Sequence, residues 1–348
     1  MTGASSAPSP RVLVVRMSSI GDIVLTEPVV AAIAEAHPDA RVGYAVKARY
    51  ADLVRFHPAI AVVHELADSS PAALMRLCRE VRAERYTTAV DLHGNARSVA
   101  LVRCSGAEVT SRYRKRELST ALRVRVGRRP FRATRLLVDR YLEAIAPLGI
   151  GVAGRRPVLH LSSEARERAA SLLGGFGLEP GAFVAMVPGT VWPTKRWPPE
   201  RYAELAVRLS RENGAPTLLL GSADEETLCG YVAARAQGAA VSGAGKATLG
   251  ETAALIELAS AYVGNDSGPT HMSMAVGTPT VAIFGPTDPR QFDFEGHALV
   301  YADPSCGACS FFGGERCPRG HWECMLSLGV DDVLTALREL PRRSGVRP

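Results

Sequence analysis

Apolar and polar positions along this chain follow two rhythms in turn. Short runs rich in valine, leucine and isoleucine recur as "RVLVVR" (11–16), "ARVGYAVKARY" (40–50), "AVVHEL" (61–66) and "TTAVDLHG" (87–94). Runs of this length with few polar breaks predict strands buried on both faces, as in a parallel sheet. Between them lie segments of helical spacing. "IVLTEPVVAAIAEAHP" (23–38) ends in a His-Pro stop, and "PAALMRLCREVRAERY" (71–86) has one apolar face. A hydroxyl-rich loop, "MSSIGD" (17–22), leads from the first strand into the first helix.

The second half repeats the scheme. "FVAMVPG" (183–189) predicts a strand and "PPERYAELAVRLSRENG" (198–214) a helix closed by glycine. "PTLLLGS" (216–222) is the next strand, "ETAALIELASA" (251–261) a helix, "YVGNDSG" (262–268) a strand end, and "PTVAIFGPTDP" (279–289) a strand and loop. Strand alternating with helix predicts an α/β fold with parallel sheets. The stretch 151–182 contains "GVAGRRP" and "GGFGLEPG", which suit a linker and turns. Two doubly wound halves are therefore expected, with one large sheet as the alternative. In such sheets ligands bind beyond the carboxyl ends of the strands. The loops 17–22, 188–197, 221–226 and 264–271 all lie at such ends, and two halves facing each other with them would form a cleft.

Length and composition narrow the class. The chain has 348 residues, which suits two domains. Its hydrophobic share of 47% supports ordinary cores, and its net charge of +6 favours anionic partners. No apolar run reaches membrane-spanning length. "MTGASSAPSP" has neither a basic nor an apolar signal region, so residues 1–10 read as a disordered lead-in and a cytoplasmic location is expected. Of seven cysteines, Cys78, Cys104 and Cys229 read as buried small hydrophobes. Cys306, Cys309, Cys317 and Cys324, with His321, have spacing that could hold a metal, although the second pair is wider than in a usual zinc ribbon. Packed thiols are the default reading there.

Several loops carry candidate chemistry. Asp22 opens a helix after the first strand, where it can cap the helix with Ser19 or serve as a general base. "PGTVWPTKRWPPE" (188–200) puts Thr190, Thr194, Lys195 and Arg196 at a strand-to-helix junction, which suits a diphosphate. The flanking Trp192 and Trp197 imply that this loop is packed. In "LLLGSADEE" (218–226) an acid could accept from ribose hydroxyls or simply favour a helix start. "SGAGKATLG" (242–250) is not a P-loop, because position 240 is alanine and Ala247 follows the lysine. No G-x-G-x-x-G follows the first strand, which argues against a nicotinamide enzyme. The arginine-rich stretch 111–135 suits an acidic acceptor or anionic lipid headgroups. RNA is less apt, because few aromatics interleave and no RNA-binding motif is present.

Four segments together, "VRMSSIGDIVLTEPVV", "PGTVWPTKRWP", "GNDSGPTHMSMAVGTPTVAIFGPTDP" and the terminal cysteine segment, resemble the lipopolysaccharide heptosyltransferases, glycosyltransferase family 9. They occur in family order, and the similarity runs from about residue 11 to about residue 335. The resemblance implies the GT-B class, two facing Rossmann-like domains with parallel sheets: an acceptor-side domain over 11–165 and a nucleotide-sugar donor domain over 166–348, the last helix reaching back to the first domain. It implies an inverting transferase that needs no cofactor and moves a heptose from an ADP-sugar to the lipopolysaccharide inner core. By matching position, Asp22 corresponds to the catalytic base. Thr190 and Lys195 correspond to diphosphate contacts, Glu225 to an acid near the donor ribose, and Asp266 to an acid near the donor sugar. Ser267, Gly268 and His271 correspond to the turn around the diphosphate. Arg97, Arg112 and Arg114 are candidate contacts to an anionic glycolipid acceptor, and peripheral contact with the inner membrane is expected without nucleic acid. A GT-B enzyme for another nucleotide sugar and a non-catalytic nucleotide-sugar-binding protein are the competing readings.

Overall fold

The computed structural model describes residues 9–114, 132–151 and 156–341. The lead-in, most of the basic stretch 111–135 and part of the 151–157 linker therefore lie outside the described residues. The chain divides into two compact units. The first comprises the residues before 115 together with Leu137–His160. The second comprises 132–136 and everything from Leu161 onward. The expected boundary at 165 thus moves back to His160.

The first unit is built on five parallel strands, β1 (Arg11–Val15), β2 (Arg41–Lys47), β3 (Ile60–Leu66), β4 (Thr88–Asp91) and β5 (Val109–Arg112). Their order is β3-β2-β1-β4-β5, so the winding reverses between β1 and β4. Leu13, Val14 and Val15 of the central strand are fully buried, as a both-faces strand requires. Among the described residues five α-helices accompany the sheet: α1 (Ile20–Leu25), α2 (Glu27–Ala36), α3 (Pro71–Ala83), α4 (Ala96–Ser105) and α5 (Leu137–Leu142).

The helix expected over 23–38 is two helices, the first of which starts at Ile20. Pro28 cannot donate into a continuous ladder. Thr26 fills the break, donating from Oγ1 to the Ile23 carbonyl at 2.7 Å and meeting Tyr44 Oη at 2.7 Å. β5 and α5 are among the elements that the sequence pattern does not mark. β5 reads "VTSR" and is largely exposed, so it has no apolar signature. α5 is a six-residue helix preceded by Leu136, which is not a capping residue type.

The second unit has six parallel strands, β6 (Val184–Val187), β7 (Thr217–Leu219), β8 (Ala240–Ser242), β9 (Ala261–Asn265), β10 (Thr280–Phe284) and β11 (Ala298–Tyr301). Their order is β11-β10-β9-β6-β7-β8, which places the reversal between β6 and β9. Among the described residues its α-helices are α6 (Ser163–Gly175), α7 (Pro199–Asn213), α8 (Glu226–Arg235), α9 (Leu249–Glu257), α10 (Gly268–Ala275), α11 (Glu323–Leu326) and α12 (Val330–Glu339). The helix expected over 251–261 starts earlier, at Leu249 behind the N-cap Thr248, and Ala261 already belongs to β9.

Two parallel-sheet, Rossmann-like units are what the GT-B expectation required. The last helix, assigned by the resemblance to a return towards the first domain, belongs to the second unit. Val330, Val333, Leu334 and Ala336 are its buried face, and it packs on β10, β11 and α7.

Candidate active site

Asp22 in the first unit, and Lys195 and Asp266 in the second, follow strands at which the winding reverses, the position at which open α/β sheets bind ligands. In the first unit, β1 runs directly into Arg16, and α1 brings Asp22 back towards it. The Arg16 guanidinium, 8% exposed as a side chain, meets Asp22 Oδ2 at 2.6 Å. It also donates to the carbonyls of Ser18 (2.7 Å) and Leu92 (2.6 Å), which fixes it between the ends of β1 and β4. Asp22 Oδ2 further accepts the Ser19 hydroxyl (2.8 Å) and the Ser19 amide (3.2 Å). Asp22 Oδ1 accepts the Tyr141 hydroxyl at 2.8 Å. Burial pushes the carboxyl upward, but the Arg16 charge and the Tyr141 and Ser19 hydrogen bonds outweigh it and hold Asp22 at about 2. The carboxylate thus stays charged throughout the neutral range. The bond from the Ser19 amide to Oδ2 is the capping interaction, and Oδ1 faces the Tyr141 hydroxyl.

In the second unit, the loops after β6 and β9 come from neighbouring strands. Asn265, fully buried, ties them together: its Oδ1 accepts the Trp197 amide at 2.9 Å and its Nδ2 donates to the Pro188 carbonyl at 2.8 Å. Lys195 and Asp266 are thereby brought within 2.6 Å, with side-chain exposures of 12% and 6%. Thr287 donates to the same Asp266 oxygen at 2.5 Å. Burial raises Asp266, yet the Lys195 and His271 charges and the Lys195 and Thr287 bonds bring it below the usual carboxylate value. Ser267 stands at the N-cap of α10 without capping it, and Pro269 occupies the first turn. The first-turn N–H groups of a helix have no partner within the helix, and together with the helix dipole they suit an anion. His271 is buried with its ring 4.6 Å from Phe292, so it braces the turn as well as lying close enough to lower Asp266.

Glu225 belongs to the same half-site. Its Oε2 accepts the Ser222 amide at 2.8 Å and the Ser222 hydroxyl at 3.1 Å. Its Oε1 lies against Gly189, where a Cβ would stand only 1.8 Å away. Thr190 is buried beside that glycine. Arg196 is tied back to its own loop: its Nε and Nη2 donate to the Thr190 carbonyl at 3.0 and 2.8 Å. Thr194 is likewise occupied, accepting the Gly314 amide at 2.8 Å. The packed-loop reading holds, with Trp197 1% exposed and its Nε1 donating to the Leu328 carbonyl.

A family model described as glycosyltransferase family 9 (heptosyltransferase) matches residues 74–301. The chain belongs to glycosyltransferase family 9. It is similar to lipopolysaccharide heptosyltransferase 1 of Pseudomonas aeruginosa, with 28% identity over 325 residues that cover 86% of each chain. Its fold is similar to that of a family 9 glycosyl transferase from Veillonella parvula, with a TM-score of 0.76 at 21% identity, covering 94% of this chain and 96% of that one. It is also similar to the Escherichia coli ADP-heptose lipopolysaccharide heptosyltransferase II, with a TM-score of 0.74 at 21% identity, covering 94% and 97%.

Other candidate groups of this family 9 glycosyltransferase take definite places. Arg97 lies in the first turn of α4, and Arg112 and Arg114 lie at and just beyond the end of β5. All three are exposed at the carboxyl side of the first sheet. Arg97 donates to the Ser69 carbonyl at 3.2 Å, and Arg112 stands 3.5 Å from the buried Asp91. All seven cysteines are free thiols. Cys229 is buried as expected, whereas Cys78 and Cys104 are half-buried. The four C-terminal thiols are neighbours: burial pushes Cys324 up to about 12, and Cys309, Cys306 and Cys317 add to it.

Among the described residues, Glu27, His57 and His160 bring ligand-type atoms within 4.8 Å of one another. The hydrogen bonds speak against a metal there. His57 Nδ1 accepts the Ala59 amide at 3.1 Å, which leaves the ring proton on Nε2, 3.2 Å from Glu27 Oε1. A metal on Nε2 would need that proton on Nδ1, where an N–H already points. Glu27 Oε2 accepts the Val158 amide at 3.0 Å, so the group clamps the last segment of the first unit onto α2.

Asn265→Ala is expected to leave the Trp197 amide and the Pro188 carbonyl buried without partners. The loss should be about 2–4 kcal/mol in a denaturant titration, together with weaker donor binding.

Proposed function

We propose that this glycosyltransferase is inverting and moves a heptose from ADP-heptose to the inner core of lipopolysaccharide, with Asp22 as general base. The observation that carries the reading is the pair of half-sites. One unit holds a carboxylate ionised by a buried arginine; the other holds a buried Lys195–Asp266 pair beside an uncapped helix start. The names of the similar proteins supply the sugar, the nucleotide and the acceptor class.

Inversion requires one in-line displacement at the anomeric carbon. The acceptor hydroxyl attacks, its proton passes to Asp22, and the C1–O electron pair leaves with the diphosphate. A carboxylate held near 2 is a weak base towards a resting hydroxyl. It suffices once the new C–O bond to an oxocarbenium-like carbon has made that hydroxyl strongly acidic. Lys195 and the N–H groups opening α10 stabilise the charge that grows on the departing diphosphate. Glu225, against Gly189, is placed for the ribose, and Asp266 for the sugar. Arg97, Arg112 and Arg114 offer cations to an anionic glycolipid. None of these roles needs a cofactor.

A cytoplasmic enzyme that touches the inner membrane only peripherally suits such an acceptor. Among the described residues no helix is long and apolar enough to cross a membrane. Purified protein given a panel of ADP-, UDP- and GDP-sugars with truncated lipopolysaccharide acceptors, read by mass spectrometry, tests the reading. Product is expected with ADP-heptose and should persist under excess chelator. Product only with a UDP- or GDP-sugar would favour another donor, and tight ADP binding without any product would favour a binding protein.

A further inference from the structure

The two oxygens of Asp22 are not equivalent. Oδ2 receives three donors, Arg16 Nη2 at 2.6 Å, Ser19 Oγ at 2.8 Å and Ser19 N at 3.2 Å. A carboxylate offers about two lone-pair directions per oxygen, so Oδ2 is filled. Among the described residues Oδ1 receives only the Tyr141 hydroxyl, at 2.8 Å, and the Asp22 side chain keeps 28% of its surface open. We propose that Oδ1 of Asp22 takes the acceptor proton and that Tyr141 is the positioning residue that presents this oxygen. The proposal rests on Asp22 being the base.

Tyr141 is suited to this role by how it is held. It reaches Asp22 from α5, 119 residues away in the chain, and is 1% exposed. Its ring has two close neighbours. The Arg16 guanidinium sits 5.3 Å from the ring centroid, and the Tyr113 ring sits 4.9 Å away. Tyr113 is fixed in turn, with its amide donating to the Asp91 carbonyl at 2.9 Å and Arg140 over its face at 5.3 Å. With its ring gripped in this way the phenol does not swing out, so the carboxylate plane is set before the acceptor arrives. Burial holds the phenol well above its ordinary value, so at neutral pH it remains a donor. One lone pair of Oδ1 then stays available, and its direction is defined. As the acceptor O–H bond breaks and the O–C1 bond forms, the proton moves onto that lone pair, and the Tyr141 bond need not be broken.

The column also links the base to the acceptor side. Tyr113 lies between Arg112 and Arg114, two of the arginines assigned to the glycolipid. An anionic acceptor held there would be aligned by the segment that steadies the base.

Tyr141→Phe removes the hydroxyl and keeps the ring. With ADP-heptose and a truncated lipopolysaccharide acceptor, kcat should fall about tenfold while KM for ADP-heptose stays unchanged. The Asp22 carboxyl, followed by carbon NMR in labelled protein, should titrate at a higher pH than in the wild type. A packing role alone would not move that titration. Wild-type kcat in Tyr141→Phe, with loss confined to Tyr141→Leu, would make Tyr141 a packing residue and overturn the proposal. Asp22→Asn serves as the control. Full activity in that variant removes the base itself, whereas an inactive Asp22→Asn beside an unaffected Tyr141→Phe removes only the role of Tyr141.

Discussion

Asp22→Asn should lower turnover by about 10²–10⁴-fold, the usual share of a general base, and leave ADP-sugar affinity unchanged. The residues proposed for the donor lie in the other unit, and asparagine keeps the size of the side chain. What it removes is the negative charge and the proton acceptor. Arg16 retains the Ser18 and Leu92 carbonyls but loses its ion pair.

A stability effect accompanies the kinetic one. The folded carboxyl sits at about 2 against a reference of 3.8, and each unit of difference is worth about 1.4 kcal/mol, so the pair contributes roughly 2 kcal/mol. Because the folded value is the lower one, this stabilisation is present at neutral pH. It is lost as the pH falls through the window from about 4 to about 2. Urea titrations of wild type and variant should therefore differ at neutral pH and converge on acidification. Normal turnover in the asparagine variant would end the assignment of Asp22 as base.

Lys195→Ala carries the second large effect. Asp266 would keep only the Thr287 bond and the nearby His271, at a side-chain exposure of 6%. Breaking one side of a buried ion pair costs about 3–5 kcal/mol. The same substitution removes the cation proposed for the diphosphate, so kcat/KM should fall about 10²–10³-fold, with both kcat and KM affected. The double variant Lys195→Ala with Asp266→Asn separates the two losses. It should regain much of the stability, because no charge is stranded, and regain none of the turnover. Recovery of turnover in the double variant would show that Lys195 serves the fold rather than the donor.

How much of this was legible depended on the distance over which each feature is encoded. The inner strands of both sheets could be read from runs such as "RVLVVR" and "PTVAIFG", because a strand covered on both faces must be apolar throughout, whereas the short β8 and β11 were not read. The edge strand β5, "VTSR", faces solvent and carries no such mark. The helix predicted over 23–38 was broken by Pro28, a local effect that spacing alone concealed. Asp22, Lys195 and Asp266 stood out through their motifs at strand ends. Arg196 and Thr194, singled out by the same loop, also have partners within the protein, the Thr190 carbonyl and the Gly314 amide, which the sequence does not reveal. Tyr141 could not be found from the sequence, since its meeting with Asp22 exists only once β1 and α5 have packed. Thr287 in "GPTDP" and Asn265 in "GNDSG" lay inside quoted segments, but their roles depend on which strands become neighbours.

The clamp of Glu27 on Val158 and the bond of Tyr141 to Asp22 bear on how such a chain can be recombined. The first unit is discontinuous: it needs residues 137–160 to finish the surroundings of its carboxylate. A hybrid joined before residue 115 would separate Asp22 from its phenol, while one joined at Leu161 would inherit both half-sites whole. Exchange of donor preference between relatives by swapping gene segments should therefore succeed at the later junction and fail at the earlier one.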